Sequence, residues 1–390
     1  MPEDRDSCEL LRAIVRRDDA ATQPLDRLAA NIRDWDALFK LALAHRMSPM
    51  LFSRLADLGP AVPPPAQERL RAEYESNVFH SMANAAELIF VLQAFDREAI
   101  PAMPFKGVVL AASIYGDFRQ RPAGDLDVLV HYRDLQRATA VLMERGYQLK
   151  TPVRADGAPV DPGDYEYQFV RPADGMVLEL RWRLTERGFR RNLDMDWVWP
   201  RRRVAMLAGA KVPNFDSEIA LLVLCLHGSK HRWSRAIWIC DVAQLLASFP
   251  GLDWTQVTRE AGRVGLRRPL ALGVLLAHRV AGAAIPRDVL RRFESDATAC
   301  RLARHIQANL FDTPRRSSLG RMLYNLQLLG LIDRGRWLLL LSRDFLRPNE
   351  RDRAALRLPR PLEALYYFVR PVRLLWSRLA SNRRTVETPE

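Results

Sequence analysis

Two acids one residue apart mark the stretch of this 390-residue chain best equipped for chemistry, Arg121-Pro122-Ala123-Gly124-Asp125-Leu126-Asp127-Val128-Leu129-Val130. In an extended strand residues i and i+2 share a face, so Asp125 and Asp127 aim two carboxylates to one side at the mouth of an apolar strand. Their spacing along such a backbone is about 6 to 7 Å. Hard oxygen donors placed this way suit Mg²⁺, which proteins hold with one or two carboxylates plus substrate phosphates. Just upstream, Phe105-Lys106-Gly107 ends a short apolar segment and begins a helix. Glycine lets backbone N–H groups approach an anion, and a helix N-terminus favours phosphate. A third acid, Glu179, lies between Leu178 and Leu180, out of pattern for a core face. Three carboxylates on neighbouring strands beside a phosphate-type turn are the equipment of two-metal phosphoryl or nucleotidyl transfer.

Each of these residues also has a plainer reading. An Asp-x-Asp pair by itself is usually a solvated strand end, and Glu179 could face solvent on an edge strand. Lys106 could be a surface lysine at a strand end, although it is one of only five lysines among 59 basic residues. Arg121 can hold a triphosphate bidentately or pair with Asp117 or Asp125. A second cluster, His227-Gly228-Ser229-Lys230-His231-Arg232-Trp233, puts two histidines one helical turn apart with Lys230 beside them. It lacks the glutamate of a H-E-x-x-H zinc helix, and Cys225 and Cys240 add no metal spacing. The cluster serves either to pack a helix against the strands, as structural histidines, or to bring Lys230, His231 or Asp241 to a nucleotide or acceptor.

The elements needed to position these groups are legible in the periodicity. Residues 8–58 have helical spacing, Pro60 to Pro65 breaks it, and a long helix is expected from Gln67 to Glu98. Strands are expected at Ala102–Phe105, Asp125–His131, Tyr165–Val170 and Met176–Arg183. Helices are expected at Gly107–Tyr115 and Arg133–Arg145, the second capped by Gly146. Helical periods return at Ile219–Leu226, Ile237–Leu246 and Leu266–Val280. The fold class is therefore α+β, a small mixed-sheet core between helical regions. The expected divisions are 1–100 helical, 101–200 the α/β core, 201–380 helical and 381–390 disordered. Residues 362–378 form a basic amphipathic stretch, suited to packing back onto the helices or, less simply, to a membrane surface.

Composition narrows the partners. The formal charge of +13 invites nucleic acid, yet nearly all of it is arginine, as a GC-rich coding bias produces, and residues 301–390 carry 18 arginines against 8 acids. The excess therefore lies away from Asp125 and Asp127, and nucleic acid is not the expected partner. Four cysteines without CxxC spacing fit a reducing cytosol. The N-terminus has no signal-peptide core, and Trp337–Leu341 is far too short to span a bilayer. A cytoplasmic location is expected.

The blocks FKGVVLAASIYGDFRQRPAGDLDVLV (105–130), MVLELRW (176–182), LHGSKHRWSRAIWICD (226–241) and YYFVRPVRLL (366–375) together resemble the uncharacterised bacterial nucleotidyltransferase family, of the polymerase-beta-like superfamily. The resemblance implies a mixed sheet, Asp125 and Asp127 as Mg²⁺ or Mn²⁺ ligands, and Glu179 as the third carboxylate. Two departures stand out. The superfamily's Gly-Ser turn is here Lys106-Gly107, and Arg181 stands where the family commonly carries a histidine. The expected function is transfer of a nucleoside monophosphate, most simply AMP from ATP, to a small-molecule, peptide or protein acceptor. Lys106, Gly107 and Arg121 would neutralise phosphate. The alternatives are a catalytically silent nucleotide- or partner-binding module, motivated by the missing serine, and a nucleic-acid-modifying transferase, motivated by the arginine excess.

Overall fold

The computed structural model describes residues 5–16, 24–122, 124–160, 164–184 and 195–311, with Tyr324, Gln327, Leu328 and Tyr366 beyond them. The expected tail helices, the amphipathic 362–378 stretch apart from Tyr366, and the 381–390 terminus lie outside the described residues. Contacts group Met1–Arg316 into one compact unit and Ser317–Glu390 into another. The elements below all belong to the first.

Helices α1 (Arg5–Arg16), α2 (Leu25–Ala30), α3 (Trp35–Ala44) and α4 (Ser48–Leu55) precede the long α5 (Pro64–Arg97). The proline run does not only interrupt. Pro64 and Pro65 occupy the first positions of α5, where their missing N–H groups cost nothing, so the helix starts three residues before Gln67. By length and composition α5 could cross a membrane, but half of its most apolar window is buried. Leu88, Val91 and Phe95 pack into the core, and Glu87, itself buried, pairs with Arg145 at 3.0 Å and Arg171 at 2.9 Å.

Strand β1 (Ala102–Pro104) leads into α6 (Gly107–Tyr115), β2 (Asp125–Val130), α7 (Leu135–Glu144) and β3 (Gln148–Leu149). Strands β4 (Glu166–Arg171) and β5 (Met176–Arg181) complete a five-stranded sheet ordered β1-β2-β5-β4-β3. The β2–β5 pair is parallel and the other three pairs are antiparallel, so the sheet is mixed, as expected. Its register sets Asp127 directly opposite Glu179 and Glu166 opposite Arg181. One face is the core: Leu126, Val128, Val130, Leu178, Leu180, Tyr167 and Phe169 are buried against α5 and α7. With period 2, the intervening residues, including the acids, must face the other side.

A short helix α8 (Met195–Val198) precedes a separate hairpin, β6 (Arg202–Leu207) and β7 (Ala210–Phe215). This hairpin lies in the region expected to be helical. Its two-residue turn, Ala208 at φ 47° and Gly209 at φ 84°, needs positive φ at both positions. Alanine at the first gives no turn signal, and the exposed Val204 and Met206 blur the alternation. Helices α9 (Ser217–Lys230), α10 (Ala236–Ser248), α11 (Trp254–Val264), α12 (Arg267–Ala281), α13 (Arg287–Glu294) and α14 (Ala297–Ala308) follow. Side-chain caps start several of them; Asp216, for example, accepts from the Ile219 N–H at the start of α9.

Candidate active site

Asp125, Asp127 and Glu179 converge as their spacing implies: each offers a carboxylate oxygen, and the three oxygens lie within 4.8 Å of one another. Among the described residues this is the only group of acids, histidines or cysteines that satisfies that geometry. Asp127 is buried, while Asp125 and Glu179 are half-buried and open onto a cleft of about 310 Å³. Hard, closely spaced oxygen donors of this kind fit a divalent cation of the Mg²⁺ or Mn²⁺ type.

Lys106 projects to the same point. Its Nζ lies 3.0 Å from Asp127 Oδ1, with only 9% of the side chain exposed. Lys106 caps α6 at φ 61°, ψ −155°, a conformation nearly reserved for glycine that costs roughly 1–3 kcal/mol. Gly107 follows at φ 49°. Two consecutive left-handed residues turn the chain sharply from β1 into α6. Because the strain belongs to the backbone, Lys106→Gly and Lys106→Ala should lose the same ion pair but differ in stability. Urea unfolding should find the glycine variant more stable by about 1 kcal/mol; equal or reversed stabilities would contradict the strain.

Arg181 binds three carboxylates at once. It pairs with Glu179, approaches Glu166 at 2.8 Å, and brings Nε to 3.2 Å from Asp127 Oδ1. The last two contacts lack hydrogen-bond alignment, so they act as charge neutralisation. The charges divide the acids. Burial raises the Asp127 carboxyl, but Lys106 and Arg181 outweigh it and hold Asp127 below the ordinary value. Glu179 is held above its ordinary value by burial and by the neighbouring Asp127 charge.

Arg121 takes neither partner considered for it. Its buried Nε donates to both carboxylate oxygens of the fully buried Asp241, at 2.8 and 3.0 Å, and Tyr115 Oη also contacts Asp241 at 3.1 Å. Asp117 pairs with Arg119 instead. Arg121 still lines the cleft, whereas Asp241 is spent on holding it.

Of the His227–Trp233 cluster, His227, Lys230 and His231 line the same cleft. His227 and His231 contact each other edge-on at 4.7 Å, and both lean on Trp238. His227 is kept neutral by burial and by Lys106 and other nearby cations, its pKa well below the ordinary value. Lys230 Nζ donates to Tyr165 Oη at 3.1 Å. The turn after α9 is held by Trp233, fully buried at φ 53°. Its ring fills the space where side chains at Gly228 and Gly273 would stand: a Cβ on either would meet it at 2.5 or 3.1 Å. These two glycines are small so that the indole can seat.

Several cleft residues have no sequence signal as site residues: Arg46, Glu166, Ser234, Arg235 and Trp238. Arg46 arrives through a long-range lock. The buried His45 accepts the Ala236 N–H on Nδ1 at 3.2 Å and the Ile237 N–H on its carbonyl at 3.4 Å, 191 residues away in the first of these bonds. Burial, aided by Arg235, lowers the His45 pKa from 6.5 to about 4. A histidine whose folded pKa is depressed contributes stability above its unfolded pKa and loses it as pH falls. About 3 kcal/mol should therefore disappear between pH 6.5 and 4. Denaturant unfolding of the wild type and His45→Asn across that range should show a shallower slope in the variant; parallel slopes would contradict this.

The mixed sheet thus gathers three carboxylates beside a buried lysine–glycine turn in a cationic cleft. A family described as an uncharacterised nucleotidyltransferase matches residues 31–282, and the chain belongs to that family of transferases. No curated protein matches the sequence. Among solved structures it is similar to ANT(2″)-Ia in complex with adenylyl-2″-tobramycin, at 12% identity and a TM-score of 0.35, over 46% of this chain and 96% of that one. It is also similar to an antigenic nucleotidyltransferase-like protein from Paracoccidioides brasiliensis, at 16% identity and a TM-score of 0.29, over 51% and 93% of the two chains.

Proposed function

We propose that this protein transfers a nucleoside monophosphate, most simply AMP from ATP, to an acceptor with Mg²⁺ held by Asp125, Asp127 and Glu179. The observation that carries the reading is the meeting of three carboxylate oxygens within 4.8 Å in a cleft also lined by Lys106, Gly107 and Arg121. When bound, the ion would polarise the triphosphate and offset charge on the leaving group. The chain's own residues do the rest. The Lys106-Gly107 turn and the N-terminus of α6 cradle phosphate oxygens, and Arg121, fixed by Asp241, presents its remaining N–H groups. Lys230 and His231, which line the same cleft, serve as further nucleotide contacts. The acceptor oxygen forms a bond to the α-phosphorus while the bond from that phosphorus to the α–β bridging oxygen breaks. Pyrophosphate leaves with the electron pair, and the acceptor's proton passes to Glu179, or to solvent water where Glu179 would instead help to hold the metal.

With ATP labelled separately at the α and γ positions and a panel of hydroxyl and amine acceptors, the γ label should leave as pyrophosphate and the α label should become covalent on the acceptor. Release of the γ label as orthophosphate would assign a different bond and overturn the reading. One observation favours a second reading, a silent nucleotide-binding module: Arg181 already neutralises Asp127, Glu166 and Glu179. Metal-independent nucleotide binding with no pyrophosphate from any acceptor would select it.

A further inference from the structure

The cleft holds more positive charge than its carboxylates use. Among the described cations lining it, Lys106, Arg121 and Arg181 are each engaged by a carboxylate, and Lys230 donates to Tyr165. Arg46 and Arg235 are different: neither has a carboxylate within 4.0 Å among the described residues, and Asp125 attracts Arg46 only from farther away. They come from distant parts of the chain, Arg46 just after α3 and Arg235 at the N-cap of α10. The fold nonetheless brings them to one cleft, which both line.

That placement is imposed by structure. The two hydrogen bonds from the start of α10 to His45 tie the residue before Arg46 to the residues after Arg235. Arg46 is held at φ 56°, a left-handed conformation uncommon for a long side chain. Arg235 lies over the Trp238 ring at 5.5 Å, and His231 packs on the same ring. Two arginines that line one cleft with no carboxylate within 4.0 Å among the described residues are most stable when an anion binds there. A phosphate monoester, at roughly −1.5 to −2 charge with three acceptor oxygens, matches two such forks; a single carboxylate matches one.

We propose that Arg46 and Arg235 form a second anion subsite, separate from the Lys106-Gly107 nucleotide cradle, and that it holds the phosphate group of a phosphate-bearing acceptor. The substrate class rests on the nucleotidyl-transfer reading; the subsite itself does not. The Arg46 guanidinium lies against Gly124, where a Cβ would meet its Nη2 at 3.4 Å, so an acceptor anchored there lies beside Asp125, on the carboxylate edge where transfer would take place. The bonds made and broken are those already described, and the anchoring phosphate is a handle that does not react.

Inorganic phosphate is the probe. It is titrated calorimetrically into the full-length protein, alone and with saturating Mg²⁺ and α,β-methylene ATP, whose transfer bond cannot break. Phosphate should bind in both states. Arg46→Gln and Arg235→Gln should each weaken phosphate at least tenfold while the analogue's affinity stays within twofold. Arg235→Lys, which keeps the charge and loses the fork, should fall between and guard against a folding artefact, with melting temperatures checked alongside. Competition between phosphate and the analogue, an equal loss of both in the variants, or unchanged phosphate binding would overturn the subsite. If the wild type binds no nucleotide, the transfer reading fails by itself, and the nucleotide-free phosphate titration still decides the arginine pair by the same tenfold criterion.

Discussion

Asp127→Asn is expected to lower nucleotidyl transfer by about a thousandfold, the scale of losing one preorganised electrostatic group and roughly 4 kcal/mol of barrier. The same change should weaken the fold. Asp127 is buried, and its carboxylate is the one ion-pair partner of Lys106 among the described residues. Removing one partner of a buried pair leaves an uncompensated charge and costs about 3 kcal/mol. Arg181 keeps Glu166 and Glu179, so the burden falls on Lys106. The paired variant Asp127→Asn with Lys106→Met should therefore recover much of the stability and none of the activity. Steady-state rates and denaturant unfolding of the single and double variants check both parts. Recovery of turnover in the double variant would show that Asp127 serves only to neutralise Lys106.

Trp233→Ala should be the most damaging change outside the carboxylates. The ring is completely buried, enclosed by Gly228, Gly273 and the Cys225 region. Truncating a buried tryptophan costs about 3–5 kcal/mol, because the cavity left behind collapses only in part. For a unit of this size the melting temperature should fall on the order of 10 °C. Function should suffer beyond stability, since the turn that Trp233 anchors carries Lys230, His231, Ser234 and Arg235 to the cleft. At a temperature where the variant is fully folded, its affinity for phosphate and nucleotide should still be reduced. Wild-type affinities in a folded variant would mean that the turn is held by other contacts.

The parts of this site visible in the sequence are those governed by local rules. The i, i+2 spacing of Asp125 and Asp127 determines their shared face without knowledge of the fold, and Leu178-Glu179-Leu180 announces an acid pointing away from a core. Gly107 marks the turn for the same reason. What local pattern cannot supply is which distant residue completes a charge. Arg121 and Asp241 are 120 residues apart, and neither spacing nor composition pairs them. Arg46 has no motif at all; its place is set by backbone bonds from His45 to α10. Arg181, two residues after Glu179 on the same face, could have been placed from strand period alone, but its three-way neutralising role needed the register of β2, β5 and β4. The β6–β7 hairpin escaped for a complementary reason: its turn uses Ala208 where Asn or Asp would have signalled it.

On the proposed reading, Asp125, Asp127 and Glu179 hold a divalent ion that joins the triphosphate to the protein. Its most direct measurement is the affinity for ATP with Mg²⁺ and with chelator, in the wild type and in Asp125→Asn with Asp127→Asn. The wild type should bind ATP at least tenfold more tightly with Mg²⁺, and the double variant should lose that difference. Equal ATP affinity with and without Mg²⁺ in the wild type, unchanged in the variant, would contradict the account.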